Sequence, residues 1–367
     1  MKSCYIHIPF CNSICTYCDF CKMYYNSEWV DKYLNTLEKE ISKYYKGEEL
    51  STIYVGGGTP TCLNEKQLEK LLNIINILNK NETIEYTIET NVESLNIEKI
   101  KLLKKYGVNR VSIGVQSILE KNIKYLGRNH TKEQVSFLIK ELKENGIKNI
   151  NVDLIYALPN QTLDDLKKDL DFILSLDVCH ISTYSLIIEE NTKLGIENIK
   201  SIDEELDYKM YQYICNRLKQ SDFIHYEISN FSKINYQSKH NLTYWNNEQY
   251  YGFGLGASGY IDNVRYDNTK GLNKYLSDNY RLNEEQLNLN IQIENEFILG
   301  LRKINGINKE KFKLKYGLEM TDIDVVKKLI TEKKLIDDGK NIYINDDYIY
   351  VSNSILLEFI GGSYGKN

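Results

Sequence analysis

The sequence predicts an α/β protein in which parallel strands carry helices on the outside, followed by a small module shaped like a winged helix. Two observations lead there. Between residues 3 and 219, six short segments rich in Ile and Val alternate with segments of helical period, and Gly or a capping residue marks the junctions. Beyond residue 286 the pattern changes to three helices and a hairpin. Serial strand–helix repetition leaves open either a doubly wound sheet or a barrel, and in both the chemistry belongs at the carboxyl ends of the strands.

Each element has its own signal. A strand over 3–8 runs into a Cys-rich loop and a helix over 28–45; a strand over 51–55 ends at Gly56-Gly57-Gly58, and Asn64 with Gln67 three residues on marks a capped helix. The unit repeats as strand 84–89 with helix 97–106, strand 110–115 with short helical pieces over 119–126, and a helix that Thr131 opens and Gly146 closes. An apolar strand over 149–155, a helix that Thr162 caps and that runs to 175, a strand over 180–186 and a helix over 202–219 complete six units. From 223 a Tyr- and Asn-rich stretch with short strands takes over. Helices over 294–303, 309–315 and 322–334 lead to a wing of strands 341–344 and 348–351 around Asn345-Asp346. The chain thus divides into residues 1–222, a connecting segment 223–285 and a terminal module 286–367.

Composition narrows the function classes. With 42% hydrophobic residues, 26% charged and only 3 Pro in 367, the chain is a folded globular protein, long enough for a large core and a smaller unit. Lys+Arg 46 against Asp+Glu 51 gives a net charge of −5, which provides no global basic field, and the tail has no dense basic helix, so no nucleic acid is expected as partner. No apolar run approaches the roughly 18 residues of a membrane span and no secretory leader is recognisable. The expected location is cytoplasmic, with no transmembrane segment and peripheral membrane contact left open.

Four of the 8 Cys crowd the first loop. Cys11-x3-Cys15-x2-Cys18 sets three soft thiolates on one short stretch, enough for a compact cluster; zinc competes, but its structural sites usually pair two separated knuckles and no second pair occurs. Three thiolates leave one iron of a [4Fe–4S] cluster open to a small molecule. With an aromatic, Tyr17, before the last Cys, this motif resembles that of the radical S-adenosylmethionine (SAM) superfamily. The resemblance implies a partial (β/α)6 barrel, a [4Fe–4S] cluster on Cys11, Cys15 and Cys18, S-adenosyl-L-methionine on the open iron, and a capacity to form a 5′-deoxyadenosyl radical.

Further motifs extend it. Tyr5-Ile-His7-Ile-Pro-Phe10-Cys11, Gly56-Gly57-Gly58-Thr59-Pro60, Ile88-Glu89-Thr-Asn91, Ser112-Ile-Gly-Val-Gln116, Leu126-Gly-Arg128-Asn-His130 and Asp153-Leu-Ile-Tyr-Ala-Leu-Pro159 resemble the oxygen-independent coproporphyrinogen III dehydrogenase family. The resemblance implies that Gly57 and Gly58 admit the cofactor's amino group, that Thr59 adds a hydroxyl, and that Glu89 faces the charged methionine portion. Arg128 would hold a carboxylate. Gln116 and Asp153 would reach the ribose, and Tyr5, Tyr17 and Ile187 would line the adenosyl pocket.

That enzyme family carries a fourth Cys two positions after the third; here Phe20 stands there and Cys21 comes one residue later. Cys18-Asp19-Phe20 and the four residues before Tyr5 instead resemble the family's heme-chaperone branch, as do His240-Asn-Leu-Thr-Tyr244-Trp245 and the terminal module. This branch implies heme as a third ligand, with His240 on the iron and Tyr244 and Trp245 against the porphyrin, and delivery to apo-hemoproteins of respiratory chains. A structural role for His240, stabilising the turn from barrel to tail, is the other reading. The rival function is radical oxidative decarboxylation of coproporphyrinogen III, or radical chemistry on another tetrapyrrole. Cys21 reads as a spare ligand, a redox thiol or an ordinary loop residue, and Gly254-x-Gly256-x-x-Gly259 as turn glycines rather than a dinucleotide fingerprint.

Overall fold

In the computed structural model, which describes residues 2–362 and 364, the six expected strands lie side by side in chain order. They are β1 (Lys2–Ile8), β2 (Leu50–Gly57), β3 (Lys80–Asn91), β4 (Arg110–Gln116), β5 (Asn149–Tyr156) and β6 (His180–Ser185), all parallel. Between them run α1 (Ser27–Tyr44), α2 (Glu65–Asn76), α3 (Ile97–Lys105), α4 (Lys132–Glu144) and α5 (Leu163–Ser175), with α6 (Glu204–Lys219) after β6. Side chains of Asn26, Asn64, Asn96, Thr131, Thr162 and Asp203 accept backbone N–H groups at the six helix starts. Gln67 does not complete a capping box with Asn64; its amide donates to Ser27 and Asp31 and so ties α2 to α1.

Strand β4 shows how sequence sorts the two faces. Val111, Ile113 and Val115 are fully buried in the hydrophobic core, while Arg110, Ser112, Gly114 and Gln116 turn the other way, onto a cavity. Residues of β2 through β6 line that same cavity. Strands that are not neighbours thus face one another across it, so the sheet is curled into a partial barrel.

The sheet continues past both ends of the barrel. Tyr250–Phe253 pairs parallel with β1 and leads into antiparallel strands Ser258–Ile261, Val264–Asn268 and Arg281–Gln286; on the other side Asn230–Ser232 and Ile224–Glu227 extend β6. A short helix, Lys239–Trp245, lies under the barrel. Thr243 Oγ1 meets Ser3 Oγ at 2.9 Å, His240 Nδ1 meets Thr52 Oγ1 at 2.7 Å, and the backbone N–H groups of Lys239 and His240 donate to Glu85 at 3.0 Å each. Ser3, Thr52 and Glu85 occupy one register row near the amino-terminal ends of β1 and β2, so this helix closes the end opposite the Cys loop.

The terminal module has helices Leu289–Gly300, Lys309–Tyr316 and Asp324–Thr331 with a three-stranded sheet. Its hairpin differs from the expected one. Leu335–Asp337 pairs with Asn341–Ile344, and residues 348–351 form no strand. The turn falls at Asp338-Gly339 because Gly339 takes φ +92° there, while the Asp337 and Asp338 carboxylates accept the N–H groups of Gly339, Lys340 and Asn341. Asn345 instead opens a turn of 3-10 helix. No helix among the described residues is long and apolar enough to cross a membrane.

Candidate functional site

The Cys loop leaves β1 at the carboxyl end of the barrel. Phe10–Cys11 pairs with Met23–Tyr24, and Met23 N–H donates to Pro9 O while Tyr25 N–H donates to Cys11 O, so both ends of the loop are held together. Cys11, Cys15 and Cys18 consequently line one cavity of about 510 Å³. Cys11 Sγ lies 3.8 Å from Thr59 Oγ1, and Arg128 Nη1 lies 3.8 Å from Cys15 Sγ. Burial pushes the Cys11 thiol up to about 11 and raises that of Cys18. Loading a metal here therefore releases protons.

Among the described residues no three His, Cys, Asp or Glu side chains converge on a single ion. A [4Fe–4S] cluster takes each thiolate on a separate iron, so three soft donors around one cavity suit a cluster better than a lone ion. The rest of the lining asks for a polar ligand. Asn91 Oδ1, Arg110 Nε, Gln116 Oε1 and Arg128 Nε are buried without a hydrogen-bond partner, and all four residues line this cavity. Buried polar atoms are normally paired, so four orphans in one place fit a ligand with several hydrogen-bonding groups, as S-adenosylmethionine has.

The acids of the cavity are held in place. Glu89 accepts Tyr54 Oη–H at 2.6 Å and Gly57 N–H at 3.0 Å, and Asp153 accepts from Asn151 Nδ2 at 2.7 Å. Burial pushes the Glu89 carboxyl up to about 7 and raises that of Asp153, while Arg110 lowers both. Gln116 ends β4 at φ +70°. Arg128 donates from Nη2 to Gly114 O at 2.6 Å and stands 3.6 Å from Glu93. The glycines at the end of β2 serve the protein's own packing. A Cβ on Gly57, at φ +113°, would fall 2.6 Å from the His7 ring, and one on Gly58 would fall 2.9 Å from Cys11 Sγ.

The sequence profile of the radical SAM superfamily matches residues 5–173. Over 98% of its length the chain is 41% identical to the heme chaperone HemW of Lactococcus lactis subsp. lactis, covering 97% of that protein, and it is 40% identical to HemW of Bacillus subtilis, covering all of it. The chain belongs to the HemW family. HemW of Escherichia coli is 34% identical over 71% of the chain. The solved coproporphyrinogen III oxidase (HemN) of Escherichia coli superposes with a TM-score of 0.87, covering 98% of this chain and 90% of that one at 22% identity, which establishes a shared fold.

Within this fold, most of the expected site residues come together. Tyr17, Gly57, Gly58, Thr59, Glu89, Gln116, Arg128, Asp153 and Ile187 line the cavity with the three cysteines. Tyr5 does not. Its hydroxyl lies 2.9 Å from His7 Nδ1, and it lines a second cavity of about 310 Å³ with Phe20, Cys21, Tyr244, Tyr250 and Lys270. Since His7 Nε2 lies 2.7 Å from Cys21 O, that nitrogen carries the proton and Nδ1 accepts from Tyr5.

His240 reaches neither cavity. Its side chain is buried, with Nδ1 on Thr52 and Nε2 2.8 Å from Tyr244 Oη, and its ring stacks on Tyr54 at 5.1 Å. Burial and Arg110 lower its pKa to about 3, so the imidazole is neutral. The structural reading of His240 is the one this geometry supports, with the helix under the barrel in place of the expected turn. Arg110 and Asn241 are among the cavity residues that escaped the sequence reading. Arg110 is 2% exposed with its Nε unpartnered, and its signal was a cation on the inward phase of a buried strand. Asn241 enters the cavity from the helix that carries His240.

Proposed function

We propose that this chain carries heme as cargo and hands it to apo-hemoproteins of respiratory chains, using a cluster-bearing radical-SAM barrel. The full-length relationship to heme chaperones carries this reading, and the absence of a fourth Cys at Phe20 accords with it. Cys11, Cys15 and Cys18 would hold the [4Fe–4S] cluster, and S-adenosylmethionine would occupy the 510 Å³ cavity. When bound, the cluster supplies an electron and an iron open to the amino-acid end of the cofactor.

The protein's own residues do the positioning. Glu89, fixed by Tyr54 and Gly57, presents a carboxylate to a cationic group, while the unpaired Nε of Arg128 presents a donor to a carboxylate. Gln116 and Asp153 offer acceptors for ribose hydroxyls from adjacent strands, and Tyr17 and Ile187 supply apolar walls. Thr59 sits beside Cys11, where its hydroxyl supports the thiolate.

Anaerobic reconstitution and then parallel assays test the proposal. The expected result is hemin binding and transfer to an apo-cytochrome, with no protoporphyrinogen formed from coproporphyrinogen III. Turnover of coproporphyrinogen III would assign the chain to decarboxylation instead. Cys15→Ala is expected to abolish the cluster's visible absorption while leaving the far-ultraviolet circular dichroism unchanged.

A further inference from the structure

The described histidines offer no free imidazole at either cavity. His240 is enclosed under the barrel, His7 is bonded on both nitrogens, and His130 and His180 are buried. His225 stacks on Phe231 at 4.2 Å and binds Ile228 O. Heme must therefore be held by something other than these rings.

We propose that heme lies over the wall of Asp19 and Phe20 shared by the two cavities, gripped by its faces and by lysines at its carboxylates rather than through its iron. This rests on the heme-chaperone reading and locates the cargo that reading requires. Phe20 and Ile187 are each 70% exposed, and both line the mouth of the main cavity. Single exposed apolar side chains are ordinary, but two beside one cavity that already holds unpaired polar groups mark a binding surface. On the far side of Phe20, Tyr244 and Tyr250 meet edge to face at 4.7 Å and form an aromatic wall of the second cavity. A flat apolar macrocycle meets aliphatic and aromatic surface on both sides of this wall.

The charges match the carboxylates at the rim of heme. Lys22 lines one cavity and Lys270 the other, and both ammonium groups stand near enough to Cys21 to act on its thiol. Lys270 has no ion pair among the described residues, and Lys22 donates to Cys18 O. Asp19 lines both cavities as well, a single carboxylate beside the two ammonium groups.

The test titrates the full chain with hemin, metal-free protoporphyrin IX and hemin dimethyl ester, monitoring absorbance and intrinsic fluorescence. Protoporphyrin IX is expected to bind about as tightly as hemin. Lys22→Glu with Lys270→Glu is expected to weaken both by about tenfold, on the scale of losing two surface charge pairs, and to leave the ester unaffected. Phe20→Ser is expected to weaken all three. Because Phe20 and Lys22 lie on the cluster loop, Lys270→Glu alone, outside that loop, is measured too and should weaken hemin but not the ester. Unchanged hemin affinity in the charge variants, or failure of protoporphyrin IX to bind where hemin does, overturns the proposal. Failure of the unaltered chain to bind any of the three removes the heme-chaperone reading itself.

Discussion

At the scale of single residues, Glu89 is the most consequential side chain in the cavity. It sits among Tyr5, Tyr54, Arg110, Asp153, Tyr184 and Tyr244, and burial raises its pKa from an ordinary 4.5 to about 7. The protonated form is the one the fold favours. Below pH 4.5 folded and unfolded chains are both protonated there and no penalty arises; as pH rises toward 7 the unfolded chain ionises first, and stability falls. Glu89→Gln is thus expected to stabilise the free protein at pH 8 by on the order of 1–3 kcal/mol and to do little at pH 4, read by urea denaturation at both values. Its effect on the cofactor has the opposite sign. S-adenosylmethionine affinity should rise as pH passes through about 7 and the carboxylate forms, and the Gln variant should flatten that profile in calorimetric titration.

At the scale of elements, the helix Lys239–Trp245 decides what the His240 motif does. Its seven residues are too few to be stable alone, so it depends on the three strands it caps. His240→Gln disturbs the pairing with Thr52 and Tyr244 and the stack on Tyr54, and is expected to cost about 1–3 kcal/mol in chemical denaturation. Hemin affinity should stay within twofold, about the scatter of 0.4 kcal/mol. A large loss of hemin binding with unchanged stability would restore the ligand role. The strand–helix alternation was legible because period and capping are local: Thr131 and Thr162 form capping boxes where the helices were expected to start. The wing was misplaced because Asn-Asp and Asp-Gly are both turn-forming pairs, and only the pairing of Leu335–Asp337 chooses between them.

At the scale of the molecule, the barrel and the terminal module share one hydrophobic core that includes Cys4, Ile113, Phe297 and Phe359. Helix Leu289–Gly300 and the turn after it bear on the segment after the barrel-closing helix: Asn247 Nδ2 donates to Gln292 O at 3.2 Å, and Lys303 Nζ to Asn246 Oδ1 at 2.6 Å. The independence of residues 286–367 as a unit therefore has a direct test. Removal of that segment is expected to strip hydrogen-exchange protection from residues 239–245 before the strands of the barrel lose theirs, and undiminished protection would show the module to be independent.

The sequence alone determined the order of strands and helices, the cluster motif and most of the residues it assigned to the cavity, because strand phase and motif spacing are local and the carboxyl ends of parallel strands gather their loops at one end of the barrel. Tertiary structure decided the rest. Thr52 and His240 meet across 188 residues, and no local pattern tells whether an imidazole there faces a ligand or the underside of a barrel. Tyr5 likewise sits one strand away from the expected wall, beside His7, because the curvature of the sheet selects which cavity an inward side chain enters. Arg110 read as the first residue of a strand; only the curling of the sheet makes it a buried cation near enough to Glu89 and Asp153 to lower both carboxyls. What local pattern leaves open, the registration of distant strands fixes, since it alone determines which polar groups are desolvated together and which find partners.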